Sequence, residues 1–351
     1  MSEATTPLAD ATRSHPDAPS LQTGPGDAIR TELPEPVSRP HPASSASEPL
    51  RIAVLAGGAN SERNVSLSSG QAISRALRGL GHAVVLVDSA QSPVVPDDAP
   101  SAAFLSTEVS EQDLPDTPVA PIAAGPPSLE ALASVRAGQT EGGVLADGLL
   151  PILEAADVVF VTVFGDEGES GSTQRLLDRH GIVHTGPSAD VCALTFDKAR
   201  TKGWLVGHGI DTPAWHLVRR DHVDTDLAEL TIPGPWIVKP VAGGSTIGLS
   251  RVDDAADLPA ACVKASAEGR DALVEEYLDG RDFTIGVLGD RVFAVVETST
   301  DRDLYDYEAK YSPGAARKQV PADLPPDQTA EVRRLTGEVH RLLGIGDTSS
   351  R

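Results

Sequence analysis

"RIAVLAGGANSERNVSLSSGQAISRALRGLGHAVVLVD" (residues 51–88) decides the fold class. "RIAVLAG" is an apolar run closed by glycine, the pattern of a short strand buried on both faces. "GGANSER" is a turn. From Ser66 to Leu80 apolar residues recur at helical spacing (Leu67, Ile73, Leu77, Leu80), and Gly81 stops the helix. "AVVLVD" is a second buried strand. Strand, helix and strand make a βαβ unit, the start of a parallel sheet in an α/β fold. The turn lacks the G-x-G-x-x-G spacing of a dinucleotide site, which argues against a dehydrogenase.

The same pattern continues downstream. "LADGLLPILEAA" reads as a helix, and "DVVFVTVFG" as a strand running into a second glycine-rich turn. "SGSTQRLLDRHG" starts another helix and "IVHTG" another short strand. The first domain therefore spans 51–187, with an irregular Pro-, Asp- and Ser-rich insertion at 90–127. A second unit, 188–270, opens with one long helix over "SADVCALTFDKARTKGWLVGHGI". It continues with strands at "PWIVKP" and "GLSRV" and a helix at 254–268. A third unit, 271–351, holds the strand "ALVEEYL" and a hairpin of "DFTIGVLGD" and "RVFAVVETS" across a Gly-Asp turn. A last helix at 327–343 carries Val332, Leu335, Val339 and Leu342 on one face. Residues 1–50 contain nine prolines, seven serines and no Phe, Tyr or Trp. Such a segment buries too little apolar surface to offset its ordering entropy, so it reads as a disordered tail.

Bulk composition narrows the function classes. The formal charge of −22 repels nucleic-acid backbones and anionic membranes, and no basic patch overrides it. No apolar run reaches the roughly 20 residues of a membrane span, and no secretory leader is visible. Cys192 and Cys262 lie far apart without metal-like spacing and read as small buried hydrophobes. A cytoplasmic protein with small-molecule substrates is expected.

Five groups can carry chemistry. In "KPVAGGSTIGLS", Lys239 ends a strand and the Gly243, Gly244, Ser245, Thr246 loop follows. Small residues let backbone N–H groups approach a phosphate, and the lysine can neutralise its oxygens. A plain glycine-turn hairpin is the alternative. In "LTFDKARTK", Lys198 sits on a helix, where a solvated lysine is the alternative. In "LVEEYLDGRDFTI", Glu275 and Glu276 point to opposite faces of a strand, and a strand-end carboxylate can accept from ribose hydroxyls. In "GGANSERNVS", Glu62 lies at the carboxyl end of a parallel strand, where α/β sheets bind ligands; helix capping is the alternative. In "FGDEGESGSTQ", a helix N-terminus after a strand can hold an anion; a turn with its cap is the alternative.

The order of these groups, ending in "DLYDYEAKYSPG" (303–314), resembles the D-alanine–D-alanine ligase family of the ATP-grasp superfamily, from about Arg51 to Leu343. "YDYEAKY" matches the family's mobile closing loop. The resemblance implies an N-terminal Rossmann-like domain, a central α+β nucleotide-binding domain and an incomplete C-terminal α+β domain. It implies ligation of two D-alanines through an acyl phosphate, for peptidoglycan precursors, with ATP and Mg²⁺ and commonly as a homodimer. By motif position, Glu62 would hold the ammonium of the first D-alanine. Ser245 and Tyr311 would join Glu62 in one hydrogen-bonded set, with Tyr311 favouring D-alanine over D-lactate as second substrate. Ser66, Gly168 and Glu169 would help to form the substrate site. Lys198, Lys239, the 243–246 loop and Lys310 would bind ATP phosphates, and Glu275, Glu276 and Asp282 would serve the adenosine end.

Two departures stand out. The family's His-Gly-x-x-Gly-Glu-Asp-Gly turn reads "FGDEGESG" here, with Phe164 for histidine and Ser170 for aspartate. The family's arginine and magnesium carboxylates, which follow the last helix, have no matched counterpart before residue 351. Glu297 and Asp301 are nearby acids outside the motif. The expectation is a final sheet short of its last strands, low stability and little turnover. A ligase with another amine acceptor and a non-catalytic nucleotide or D-amino-acid binder are the competing readings.

Overall fold

The computed structural model describes residues 48–92, 104, 122, 125–137, 139–141, 143–302, 305–312, 314–346 and 348–350. The expected tail and most of the 90–127 insertion lie outside these residues. Strand β1 (Arg51–Ala56) and helix α1 (Arg63–Gly79) lead into β2 (Ala83–Asp88), parallel to β1 in the register Arg51–Ala83 to Ala56–Asp88. The helix begins three residues before the apolar periodicity does. Its first turn is polar but buried: Glu62 N–H donates to Asn60 Oδ1 at 2.9 Å, and the Arg63 guanidinium pairs with Asp88 at the end of β2. Hydrophobic spacing cannot register a turn packed through polar groups.

Helix α2 (Leu129–Arg136) and the hairpin β3 (Gln139–Glu141) and β4 (Leu145–Ala146) lead to helix α3 (Leu150–Glu154); β4 and α3 pack against this sheet. Strand β5 (Val158–Val161) joins the other side of β1, giving the parallel order β2-β1-β5. The expected strand at "IVHTG" is reduced to one parallel bridge between Val159 and His184. After β5 come the short helix α4 (Asp166–Glu169) and α5 (Ser172–Arg179). The core joins Leu55, Leu145, Leu149, Leu153 and Leu177, each 0–1% exposed, so branched aliphatics do the packing.

The long helix expected at 188–210 is two helices, α6 (Ala189–Phe196) and α7 (Lys198–Gly207). Asp197 breaks it: its backbone is extended, and its carboxylate caps α7 by accepting from Arg200 N–H at 3.0 Å. Strand β6 (Trp215–Val218), helix α8 (Val223–Ala228), strands β7 (Trp236–Pro240) and β8 (Ser250–Val252), helix α9 (Leu258–Ala265) and strand β9 (Ala272–Glu276) follow. They form an antiparallel sheet in the order β6-β9-β7-β8. Strand β9 is therefore central to this sheet, and the boundary expected after residue 270 cuts through the unit.

The last sheet is antiparallel, in the order β12-β11-β10-β13. Strands β10 (Asp282–Leu288) and β11 (Arg291–Thr300) are the expected hairpin. Helix α10 (Tyr307–Tyr311) lies within the tyrosine run, ahead of β12 (Ala316–Gln319) and helix α11 (Pro326–Leu342). The sheet was expected to lack its last strands; β13 (Thr348–Ser350) supplies one, covering the edge of β10.

Cys192 and Cys262 are buried and free, and burial pushes their thiols up to about 12 and about 11, which makes them inert at neutral pH. No helix among the described residues is long and apolar enough to cross a membrane.

Candidate functional site

Three segments meet at one hydroxyl. Ser245 Oγ donates to Glu62 Oε1 at 2.5 Å and lies 2.6 Å from Tyr311 OH. Glu62 comes from the loop after β1, Ser245 from the glycine loop after β7, and Tyr311 from the end of α10. Glu62 and Ser245 are buried, and Tyr311 is half-buried. Burial, with the Glu62 charge adding to it and the Ser245 hydrogen bond opposing, pushes the Tyr311 phenol up to about 12. It stays a neutral donor across the working pH range.

Helix α10 aims that phenol. Asp306 caps its single turn by accepting from Ala309 N–H at 2.9 Å. That hydrogen bond is the main reason the Asp306 carboxyl lies below its ordinary range. Tyr307 packs edge-on to Tyr311 with ring centroids 4.7 Å apart. Its buried hydroxyl has no hydrogen-bond partner among the described residues, and burial followed by the Glu62 charge raises its pKa. Lys310 Nζ lies 5.5 Å from the Tyr305 ring centroid.

The glycine loop is held open and close to the carboxylate. Ser245 and Thr246 have φ of 51° and 58°, a left-handed backbone that is uncommon outside glycine and clusters at functional sites. At Gly244 a Cβ would lie 2.9 Å from both Glu62 oxygens. Lys198 Nζ donates to Gly243 O at 2.7 Å, so the lysine at the start of α7 reaches the loop expected to hold phosphate.

Glu275 differs from expectation. Its buried carboxylate is shared by two cations, Lys202 Nζ at 2.9 Å and Lys239 Nζ at 2.5 Å. Lys202 also donates to Thr212 Oγ1 at 2.7 Å. Burial lowers the Lys202 pKa, while the Glu275 hydrogen bond and charge oppose that shift. Glu275 thus sets Lys239 in place rather than presenting both oxygens to a ribose. Glu276 and Asp282, at the end of β9 and the start of β10, are the more open acids.

Three residues expected at the substrate site hold structural places. Ser66 is 0% exposed; its hydroxyl donates to Thr162 O at 2.6 Å and accepts from Gly57 N–H at 2.8 Å. It joins the ends of β1 and β5 beneath the site. Gly168 is buried where a Cβ would meet Val163 O at 2.0 Å, so glycine is required by packing. Glu169 folds back, accepting from Gly165 N–H at 2.9 Å. Phe164 offers its carbonyl to Asn60 Nδ2 at 2.8 Å, and Ser170 Oγ lies 3.0 Å from Ser172 Oγ.

The site also contains residues that sequence patterns did not single out. Lys202 reads as an ordinary helix lysine until Glu275 arrives 73 positions later, and no local signal marks it. Arg270, in the loop before β9, reaches both the glycine loop and Asp166 of α4.

A divalent cation finds no cage here. Among the described residues no group of three or more His, Cys, Asp or Glu could hold a metal ion. Glu297 is paired with Arg281 through contacts of 2.7 and 2.5 Å, and Asp301 with Arg317 through contacts of 3.0 and 2.5 Å.

A parallel-sheet domain followed by two antiparallel sheets, with a lysine-and-glycine loop facing a buried carboxylate, is an ATP-grasp architecture. Solved structures share it: a D-Ala:D-Ser ligase (VanG) from Enterococcus faecalis, at TM-score 0.60 and 21% identity over 86% of this chain and 85% of that one; and a D-alanyl-alanine synthetase A from Vibrio cholerae, at TM-score 0.61 and 18% identity over 87% and 84%. Residues 51–187 match the family model for the D-ala D-ala ligase N-terminus and residues 205–350 the one for the C-terminus. The D-alanine–D-alanine ligase of Pediococcus pentosaceus is 32% identical over 84% of this chain and 82% of its own length. That of Cereibacter sphaeroides is 34% identical over 84% and 76%. The chain belongs to the D-alanine–D-alanine ligase family.

Proposed function

We propose that this chain joins two D-alanines at the expense of ATP, making D-alanyl-D-alanine for cell-wall precursors. The observation that carries the reading is the Glu62–Ser245–Tyr311 set, which brings the amino-acid side and the phosphate side of the cleft to one hydroxyl. In this reading the ammonium of the first D-alanine binds at the buried Glu62 carboxylate, beyond the end of β1.

The first D-alanine carboxylate attacks the γ-phosphorus of ATP and ADP leaves. Lys239, Lys198 and the N–H groups of 243–246 take the charge of the transferring group, with Lys310 closing from α10. The amine of the second D-alanine then attacks the acyl carbon. The tetrahedral centre collapses, phosphate departs with the electron pair of the C–O bond, and the nitrogen releases a proton. In this reading Tyr311, neutral and donating, favours an amine over a hydroxyl nucleophile. Glu276 and Asp282 serve the adenosine end, and Glu275 holds Lys239. Magnesium belongs to the family's chemistry; among the described residues no group of three or more His, Cys, Asp or Glu could hold it, and no step is assigned to it. A cytoplasmic homodimer goes with this reading.

The test is D-alanine-dependent phosphate release by the purified chain with ATP and magnesium, matched mole for mole by dipeptide. Phosphate without dipeptide would favour a second reading, a ligase with another acceptor, for which Phe164 in the histidine position argues. An amine screen with D-alanine as donor separates the two. ATP binding with no turnover would leave a nucleotide-binding protein.

A further inference from the structure

We propose that Arg270 is a positioning residue for the phosphate-binding loop, which it sets only when the second turn of the first domain is docked. The proposal rests on the ATP-dependent reading above. Arg270 lies between α9 and β9, in a loop that is itself anchored: Arg220 Nη1 donates to Gly269 O at 3.1 Å, and Arg220 N–H to Asp271 Oδ1 at 3.0 Å. Its side chain is 17% exposed. Nη1 donates to Ala242 O at 3.2 Å and to Glu268 Oε2 at 2.9 Å, and Nη2 pairs with Asp166 at the start of α4.

Ala242 opens the glycine loop. The Nη1 end of the guanidinium also lies against Gly243, where a Cβ would come 2.7 Å from it. Lys198 holds the carbonyl of that same glycine at 2.7 Å. Two cations from separate elements therefore grip successive peptides of the loop, and one of them is tied across 104 residues to the first domain. Only a planar fork can serve the carbonyl and both carboxylates together; a lysine ammonium is a single point.

Charge sharpens the argument. Asp166 and Glu268 stand one guanidinium away from a loop built for a polyanion. With Arg270 removed, two carboxylates face each other and the incoming phosphates without compensation. The loss should then appear in ATP affinity, and removing one carboxylate should restore part of it.

The experiment compares the full chain with R270Q, R270K, D166N and R270Q/D166N. It measures KM for ATP and kcat, with hydrogen exchange at the amides of 242–247. R270Q is expected to raise the ATP KM about tenfold with kcat nearly unchanged, and to speed exchange in the loop. R270K should fall between, D166N should show a smaller rise, and the double variant should recover part of the R270Q loss. A plain structural ion pair would lower the melting temperature and the active fraction while leaving KM alone, and that result overturns the proposal. So do strictly additive effects. If the wild-type chain shows no D-alanine-dependent turnover, the functional reading falls separately. Loop exchange then decides: unchanged protection in R270Q ends the proposal, and faster exchange confined to 242–247 upholds it.

Discussion

Ser245 Oγ donates to Glu62 Oε1 at 2.5 Å across 183 residues of chain, and the same oxygen meets Tyr311 OH at 2.6 Å. One hydroxyl thus joins the carboxylate expected to hold an ammonium to the loop expected to close over it. Ser245→Ala removes both contacts, and Tyr311→Phe removes one and keeps the ring. Loss of a charge-assisted hydrogen bond at a binding carboxylate corresponds to a fall in kcat/KM of about 100-fold for Ser245→Ala and about tenfold for Tyr311→Phe. The double variant should be little worse than Ser245→Ala alone, because the second contact is already gone. Steady-state kinetics with D-alanine varied measures all three. Independent, additive losses would mean that the three side chains do not act as a set.

The buried triad at Glu275 predicts an asymmetry in stability. Lys202 and Lys239 share one carboxylate, at 2.9 and 2.5 Å. Lys202→Met puts an apolar side chain in a buried place and leaves Glu275 paired with Lys239. Glu275→Gln leaves two ammonium groups facing each other. The first should cost about 1 kcal/mol and the second about 3 kcal/mol, since removing the shared partner strands buried charge. Urea unfolding resolves the difference. Equal losses would mean that the Lys202 contact matters as much as the shared carboxylate itself.

Much of this site was legible before its geometry was known, and the illegible parts share one cause. The βαβ start could be read because β1 and β2 are sandwiched between layers and so are continuously apolar. The glycine loop and the tyrosine run could be read because their residue types are rare and ordered. The Ser66 bridge was not legible: nothing local tells a serine facing a ligand from one bridging Gly57 and Thr162 inside the domain. Lys202 and Arg270 were missed because long-range partners determine their burial and pairing. The break at Asp197 was readable in retrospect, since an Asp three residues before Arg200 is a capping pattern in its own right.

Acid should weaken the central domain through Asp226. This buried side chain on α8 accepts from Arg219 N–H at 2.7 Å, Nε at 2.9 Å and Nη2 at 2.5 Å, which ties α8 to the end of β6. The Arg219 hydrogen bonds hold its carboxyl at about 2, against an ordinary 3.8. A depressed folded-state value stabilises above the unfolded value and loses that contribution as pH falls through the folded one. The window is therefore from about pH 4 down to about pH 2. Melting temperatures of wild type and Arg219→Gln should converge over that window and stay separated at neutral pH. A constant gap would assign the Arg219 contribution to packing. The comparison between variants is needed because hydrogen bonds from Arg51, Arg281 and Arg317 also hold the Asp157, Glu297 and Asp301 carboxyls below their ordinary values.

Gly244 offers the most selective probe of Glu62. A Cβ there would lie 2.9 Å from both carboxylate oxygens, so Gly244→Ala must displace the carboxylate, the loop or both. The backbone at 244 is not left-handed, so the alanine itself is not strained, and the cost falls on its neighbour. KM for the first D-alanine should rise at least about tenfold, because binding an ammonium depends on the position of its counter-charge. The melting temperature should move little, since the loop is not part of a hydrophobic core. Gly203→Ala, in helix α7 with nothing within 4 Å of the added carbon, is the control and should be neutral or slightly stabilising. An unchanged D-alanine KM in Gly244→Ala, with the control also silent, would mean that the ammonium is held elsewhere and that Glu62 only ties the loop shut.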